Sequence, residues 1–332
     1  MDNSAKTSAT KTRWLLRCLI ALLTVTITVN LISAYIRLDE AGTGCQPWPD
    51  CYARVGGSGV PEPLSAADAL TPVEVIKQAH RTVATLLVVI VLAVIGLARG
   101  QPLGRTARML PYAIAFTVLL LAVVGPASYL KTLPAVATVN LAGGMTLLAL
   151  TWLLWLDVTT MGEKRLPVLK APARLALAAL IIQILFGAWV SANFAAAGCT
   201  GFLSCAQGGA GLESFWYLRE LSVDPTGRIL QDGSQAVIQR AHHSWALVTT
   251  LTLVWLGWCG TREVGRPRLW GSILLAVLLL QLSLGLAGLA ASMPLPVVLL
   301  HNLVASLLLL CVLRFLVLSR DRQEVVKFRT SG

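Results

Sequence analysis

Charge is what this sequence most lacks. Of its 332 residues only 13% are Asp, Glu, Lys or Arg, about half the quarter that a soluble domain carries. Hydrophobic residues make up 56% and mean hydropathy is +0.72. That composition excludes a water-soluble fold, because the remaining apolar surface has to face lipid. Acids are the scarcest charged type, 16 against 27 Lys and Arg, for a net charge of +11. A nucleic-acid binder shows such a balance too. Here, however, the basic residues sit in short runs between apolar stretches, the pattern of cytoplasmic membrane loops. The partner expected is membrane lipid, and no nucleic acid. No A-x-A cleavage site closes the first apolar run, residues 18–36, so the run reads as a retained helix and not as a signal peptide. No Gly/Pro-interrupted pair of helices lies at midplane depth, which argues against a broken-helix transporter.

What is present is a series of apolar runs near the length of a bilayer crossing, about 20 residues. They predict spans at 16–36, 76–98, 110–130, 135–157, 174–195, 237–259, 270–291 and 296–318. Basic residues collect in alternate loops: Arg99, Arg105 and Arg108, then Lys164, Arg165, Lys170 and Arg174, then Arg262, Arg266 and Arg268. The positive-inside rule places those loops and both termini in the cytoplasm of a bacterial cell with the chain in its inner membrane. The two long, acid-bearing loops, 37–75 and 196–236, then face outward.

The chain repeats itself over roughly 160 residues. Gly44-Cys45-x5-Cys51 recurs as Gly198-Cys199-x5-Cys205, Gln78-Ala79-His80 as Arg240-Ala241-His242, and Leu133-Pro134 as Leu295-Pro296. The expected organisation is a cytoplasmic tail over 1–15, a four-helix half over 16–160, a second four-helix half over 170–318 and a cytoplasmic tail over 319–332. An even number of helices per half inserts both halves the same way. The fold class is therefore an all-α polytopic membrane protein, two tandem four-helix bundles about a pseudo-twofold axis near the membrane normal.

Seven cysteines divide by position. Cys18, Cys259 and Cys311 lie in or at the ends of spans and read as small packing residues. The outward loops face an oxidising compartment, and their short C-x5-C spacing predicts Cys45–Cys51 and Cys199–Cys205 disulfides. Neither outer loop holds a histidine, so a metal site there is disfavoured.

Histidine is rarer still: His80, His242, His243 and His301. Ionisable residues at membrane depth are costly and point to function. Imidazoles on two facing helices of a four-helix bundle hold a haem iron from both sides. His242 and His301 fall on the second and fourth helices of one half and are the expected axial ligands of a b-type haem. His243 lies about 100° further round its helix and cannot aim at the same iron. In the first half His80 matches His242, and Asn140 stands where His301 has its counterpart. Arg81 and Arg240, beside the histidines, are candidates to pair the haem propionates.

These motifs together resemble the haem A synthase family over about residues 15–318. They are Arg37-Leu38, Ala41-Gly42-Thr43-Gly44-Cys45-Gln46-Pro47-Trp48-Pro49-Asp50-Cys51-Tyr52, His80-Arg81, Asn140-Leu141-Ala142-Gly143-Gly144 and Pro296-Val297-Val298-Leu299-Leu300-His301. The resemblance implies an oxidoreductase that oxidises the C8 methyl of haem O to the formyl group of haem A. It implies a permanent haem b in the second half and substrate haem O near His80 in the first. It also implies dealings with the enzyme that makes haem O and with the terminal oxidase assembly machinery; homo-oligomerisation is left open. Two positions depart from the family pattern. Lys77 replaces a glutamate three residues before His80, and Asn140 replaces a histidine. They motivate the alternative of a divergent member that binds haem b as an assembly factor or electron carrier without making haem A.

Overall fold

The computed structural model describes residues 2–40, 72–125, 133–160, 163–199 and 233–320 continuously, with part of 200–232 between them. It is all-helical. Eight long helices follow one another: α1 (Asp2–Glu40), α2 (Pro72–Ala98), α3 (Arg105–Val124), α4 (Pro134–Thr159), α5 (Lys170–Ala192), α6 (Ser234–Arg262), α7 (Arg266–Ala290) and α8 (Leu295–Leu318). Seven of them are long and apolar enough to cross a membrane, which fits a multi-pass membrane protein. The exception is α6. Gln235, Gln239, Arg240, His242, His243 and Ser244 fill its first three turns, so the helix richest in chemistry is the one whose apolar signal is weakest.

Most boundaries move little from the sequence expectation, and the shifts have local causes. Helix α1 starts at Asp2, well before residue 16, because no Gly or Pro interrupts residues 2–15. Helix α3 runs over Arg105–Val124 and not to 130, since Gly125-Pro126 stops it. Helix α5 ends at Ala192, where Phe194 turns into the left-handed region (φ 51°) and a 3-10 turn, Ala195–Ala197, redirects the chain.

Packing follows the repeat. Helix α1 packs on α2 and α4, and α3 on α2 and α4; likewise α5 packs on α6 and α8, and α7 on α6 and α8. Two apolar clusters form, the second extending onto α4 through Met145. Leu15, Leu19, Leu22, Val94 and Ile114 fill one; Leu180, Leu253, Leu274, Val312 and Phe315 fill the other. Helices α1 and α4 also pack on α8, and α4 on α5. The seam is partly polar: Trp152 Nε1 donates to the Leu310 carbonyl at 2.9 Å. At one end, residues 163–169 grip the C-terminus of α8. Arg165 Nη1 donates to the Val317 carbonyl at 2.8 Å, and Leu166 N to the Leu318 carbonyl at 2.8 Å. Glu163 pairs there with the buried Arg314, and with Arg266 at 3.1 Å.

Candidate haem-binding site

At the opposite end of α8 a cavity of about 300 Å³ opens between α5, α6, α7 and α8, and reaches across the seam to α1 and α4. Its wall is mostly aliphatic, with a few polar groups aimed inward, the usual make-up of a cofactor pocket. His242 from α6 and His301 from α8 both line it.

The two histidines are held alike. On α5, Gln183 lies against His242, its Nε2 3.2 Å from Nδ1 and 3.4 Å from Nε2 of the ring. On α7, Gln281 Nε2 lies 3.0 Å from His301 Nε2. One turn after each glutamine comes a glycine. A Cβ on Gly187 would stand 3.2 Å from His242 Cε1, and one on Gly285 would stand 3.4 Å from His301 Cε1. Each imidazole thus brings its Cε1–Nδ1 edge against a helical glycine, with an amide one turn away. The pattern is visible in the sequence as Gln183-x3-Gly187 and Gln281-x3-Gly285, but nothing marks it as functional until the facing histidines are known. Sequence reasoning missed all four residues.

The residues present fit a haem. His301 Nδ1, Gln183 Oε1 and Gln281 Oε1 are buried and have no hydrogen-bond partner among the described residues. Buried polar atoms are ordinarily satisfied, so this cavity is built to be completed by a ligand. The donor set is two neutral imidazoles from facing helices within an apolar wall, which suits b-type haem.

His243 also lines the cavity and has a different partner. Gln239 Nε2 lies 3.1 Å from its Nε2, and its ring is turned 51° from that of His242, with centroids 6.3 Å apart. One of its ring nitrogens and the sulfurs of Cys199 and Cys205 lie within 4.8 Å of one another. Those two cysteines are disulfide-bonded, as expected, and so offer no thiolate to a metal. Cys45 and Cys51 lie outside the described residues. Cys18, Cys259 and Cys311 are free thiols.

The first-half candidates are placed differently. His80 is half-buried on α2 and does not line the cavity, and neither does Lys77, one turn before it. Asn140, by contrast, lines the same cavity as His242 and His301, and its Oδ1 is buried without a partner. Arg81 and Arg240 are exposed and stand off the cavity. The charged residue that does line it is Arg37, near the end of α1.

Comparison with known proteins gives the family. A family model described as cytochrome oxidase assembly protein matches residues 12–313. The chain is 30% identical over 313 residues to a protein of Shewanella oneidensis named heme A synthase, covering 90% of this chain and 93% of that one. The eight-helix chain with paired histidines against paired glycines therefore belongs to the haem A synthase family of cytochrome oxidase assembly proteins.

Proposed function

We propose that the chain is a haem A synthase-type oxidoreductase of the bacterial inner membrane. It holds a haem b through His242 and His301 and oxidises the C8 methyl of haem O, through an alcohol, to the formyl group of haem A. The observation that carries the reading is the common cavity of His242 and His301, each ring set against a glycine and flanked by a glutamine. In this reading all eight helices cross the bilayer with both termini cytoplasmic, in two four-helix bundles about an axis near the membrane normal. The end-on polarity of α6 is tolerated because its polar face turns inward to the site.

When bound, a haem with two imidazole ligands supplies one-electron transfer. The protein supplies the rest. His242 and His301 give the nitrogen ligands. Gln183 and Gln281 lie against the rings through their amide nitrogens; with haem held by the imidazoles, their free Oε1 atoms are the acceptors that would take the ring N–H, the role of outer partners to metal-binding histidines. The aliphatic wall keeps bulk water from the site. His80, on the first-half helix, is the residue proposed for the substrate side. The suppliers and takers are the haem O-producing enzyme and the oxidase assembly machinery, and self-association is compatible with the fold.

A second reading has its own support. Asn140 lines the cavity of His242 and His301, which His80 does not line, and Lys77 stands where the family pattern has a glutamate. Such a chain could carry haem b as an assembly factor or electron carrier alone. The two readings part in cells that lack their own haem A synthase but make haem O. Extraction and chromatography of their haems should show haem A once this chain is expressed. Membranes that hold the chain with haem b but accumulate only haem O would overturn the enzymatic reading in favour of the second.

A further inference from the structure

Arg37 is the only charged side chain lining the cavity among the described residues, and no Asp or Glu lines it with Arg37. The side chain is partly buried. Its Nε donates to Ser191 Oγ on α5 at 3.0 Å, while its Nη2 is enclosed and meets no partner among the described residues. A guanidinium enclosed without a counter-charge is costly, and an anion beside it offsets that cost. No described Asp or Glu lining the cavity supplies one, and an anionic occupant of the cavity would.

We infer that Arg37 is the anchor for a carboxylate of the haem bound in this cavity, reaching from α1 of the first half into a site built by the second. The inference rests on the haem reading above and adds to it a ligand contact. A guanidinium fork matches a carboxylate, and Arg is the residue suited to that geometry. The Nε–Ser191 hydrogen bond fixes which edge of the fork is left for the ligand, so Ser191 acts as a positioning residue. Arg37 lies three residues from the end of α1, at the rim of the apolar wall, where the polar edge of a haem would lie with its macrocycle against the aliphatic side chains. Arg81 and Arg240, the arginines next to the histidines in sequence, are exposed and cannot do this.

The test compares two ligands on the purified full chain in detergent, freed of haem and titrated optically. They are iron protoporphyrin with free propionates and the same compound as its dimethyl ester. The wild type should bind the free acid about ten- to a hundredfold more tightly, the range of a charge-assisted hydrogen bond. Arg37→Gln should bind both with the affinity the wild type shows for the ester. Arg37→Lys should retain part of the preference and Ser191→Ala most of it. Equal affinity of the wild type for acid and ester overturns the inference, and needs no variant that might misfold to show it. A preference that survives unchanged in Arg37→Gln also overturns it, placing the carboxylate elsewhere. The haem reading itself fails separately: His301→Ala would then leave the bound-haem spectrum untouched, whatever the ester does.

Discussion

Replacing Glu163 by alanine should destabilise the protein by about 3–5 kcal/mol, the usual result of removing one partner from a buried ion pair. Arg314 is 3% exposed and Glu163 is its carboxylate. Arg314 Nη1 already lacks a partner, so no second acceptor stands ready. Arg266, the other partner of Glu163, is 79% exposed, and losing that contact alone costs little. The effect should therefore come almost wholly from stranding the buried Arg314 charge. Two controls follow. Arg314→Met should be close to neutral, since it removes the charge that needs pairing and leaves Glu163 its exposed partner. The Glu163→Ala, Arg314→Met double variant should recover most of the loss. Unfolding in mixed micelles measures all three. Arg314 and His301 are 13 residues apart on α8, about 20 Å along the axis, so the haem spectrum of folded Glu163→Ala should not change. A stable Glu163→Ala would mean that the clamp of residues 163–169 on α8 does not depend on this pair.

Gly187→Leu and Gly285→Leu should each weaken haem retention about ten- to a hundredfold, the range found when residues that orient metal-ligating histidines are altered. A Cβ at either position already meets an imidazole at 3.2 Å or 3.4 Å, and leucine adds three more heavy atoms on the same side. The ring has to tilt or shift, and a shifted ring no longer presents its nitrogen as before. Alanine at the same sites should have a smaller effect, larger at Gly187 than at Gly285, because the approach is closer there. Leucine at Gly96, where a Cβ would meet nothing within 4 Å, is the control for adding bulk to a helix. The readout is haem remaining per chain after dialysis against a haem-binding globin. Full retention in both leucine variants would show that the histidines are not positioned by these glycines.

These two results would test parts of the molecule that differ in how they can be read from sequence. The histidines are legible because an imidazole inside an apolar run is expensive and needs a reason, and because His242 recurs at the position of His80. That His242 and His243 cannot both face one iron is legible from helix geometry, and the choice of His242 from its match to His80 in the repeat; the two rings lie 51° out of parallel. The Cys199–Cys205 bond is legible from spacing and compartment. Gln183 and Gln281 are not, since an amide in a long helix is equally at home in packing. Arg37 is hidden for another reason. An arginine near the end of a span reads as an anchor to the membrane surface, and only the approach of α1 to α5, through Ser191, turns it inward. Asn140 can be matched to His301 by the repeat, yet its outlook onto the second-half cavity depends on how α4 packs against α8, which no periodicity encodes. The start of α6 is blurred for the opposite reason: the polar residues that make the site also dilute the apolar signal of its helix.

The account turns on His242 and His301 holding one haem between them. Its most direct test is the low-temperature electron paramagnetic resonance and optical spectrum of the purified chain beside its His242→Ala, His243→Ala and His301→Ala variants. The prediction is a low-spin, six-coordinate haem b in the wild type, unchanged in position by His243→Ala and abolished by either His242→Ala or His301→Ala. A low-spin signal that survives the loss of His242 or His301, or one that vanishes with His243 instead, would contradict it.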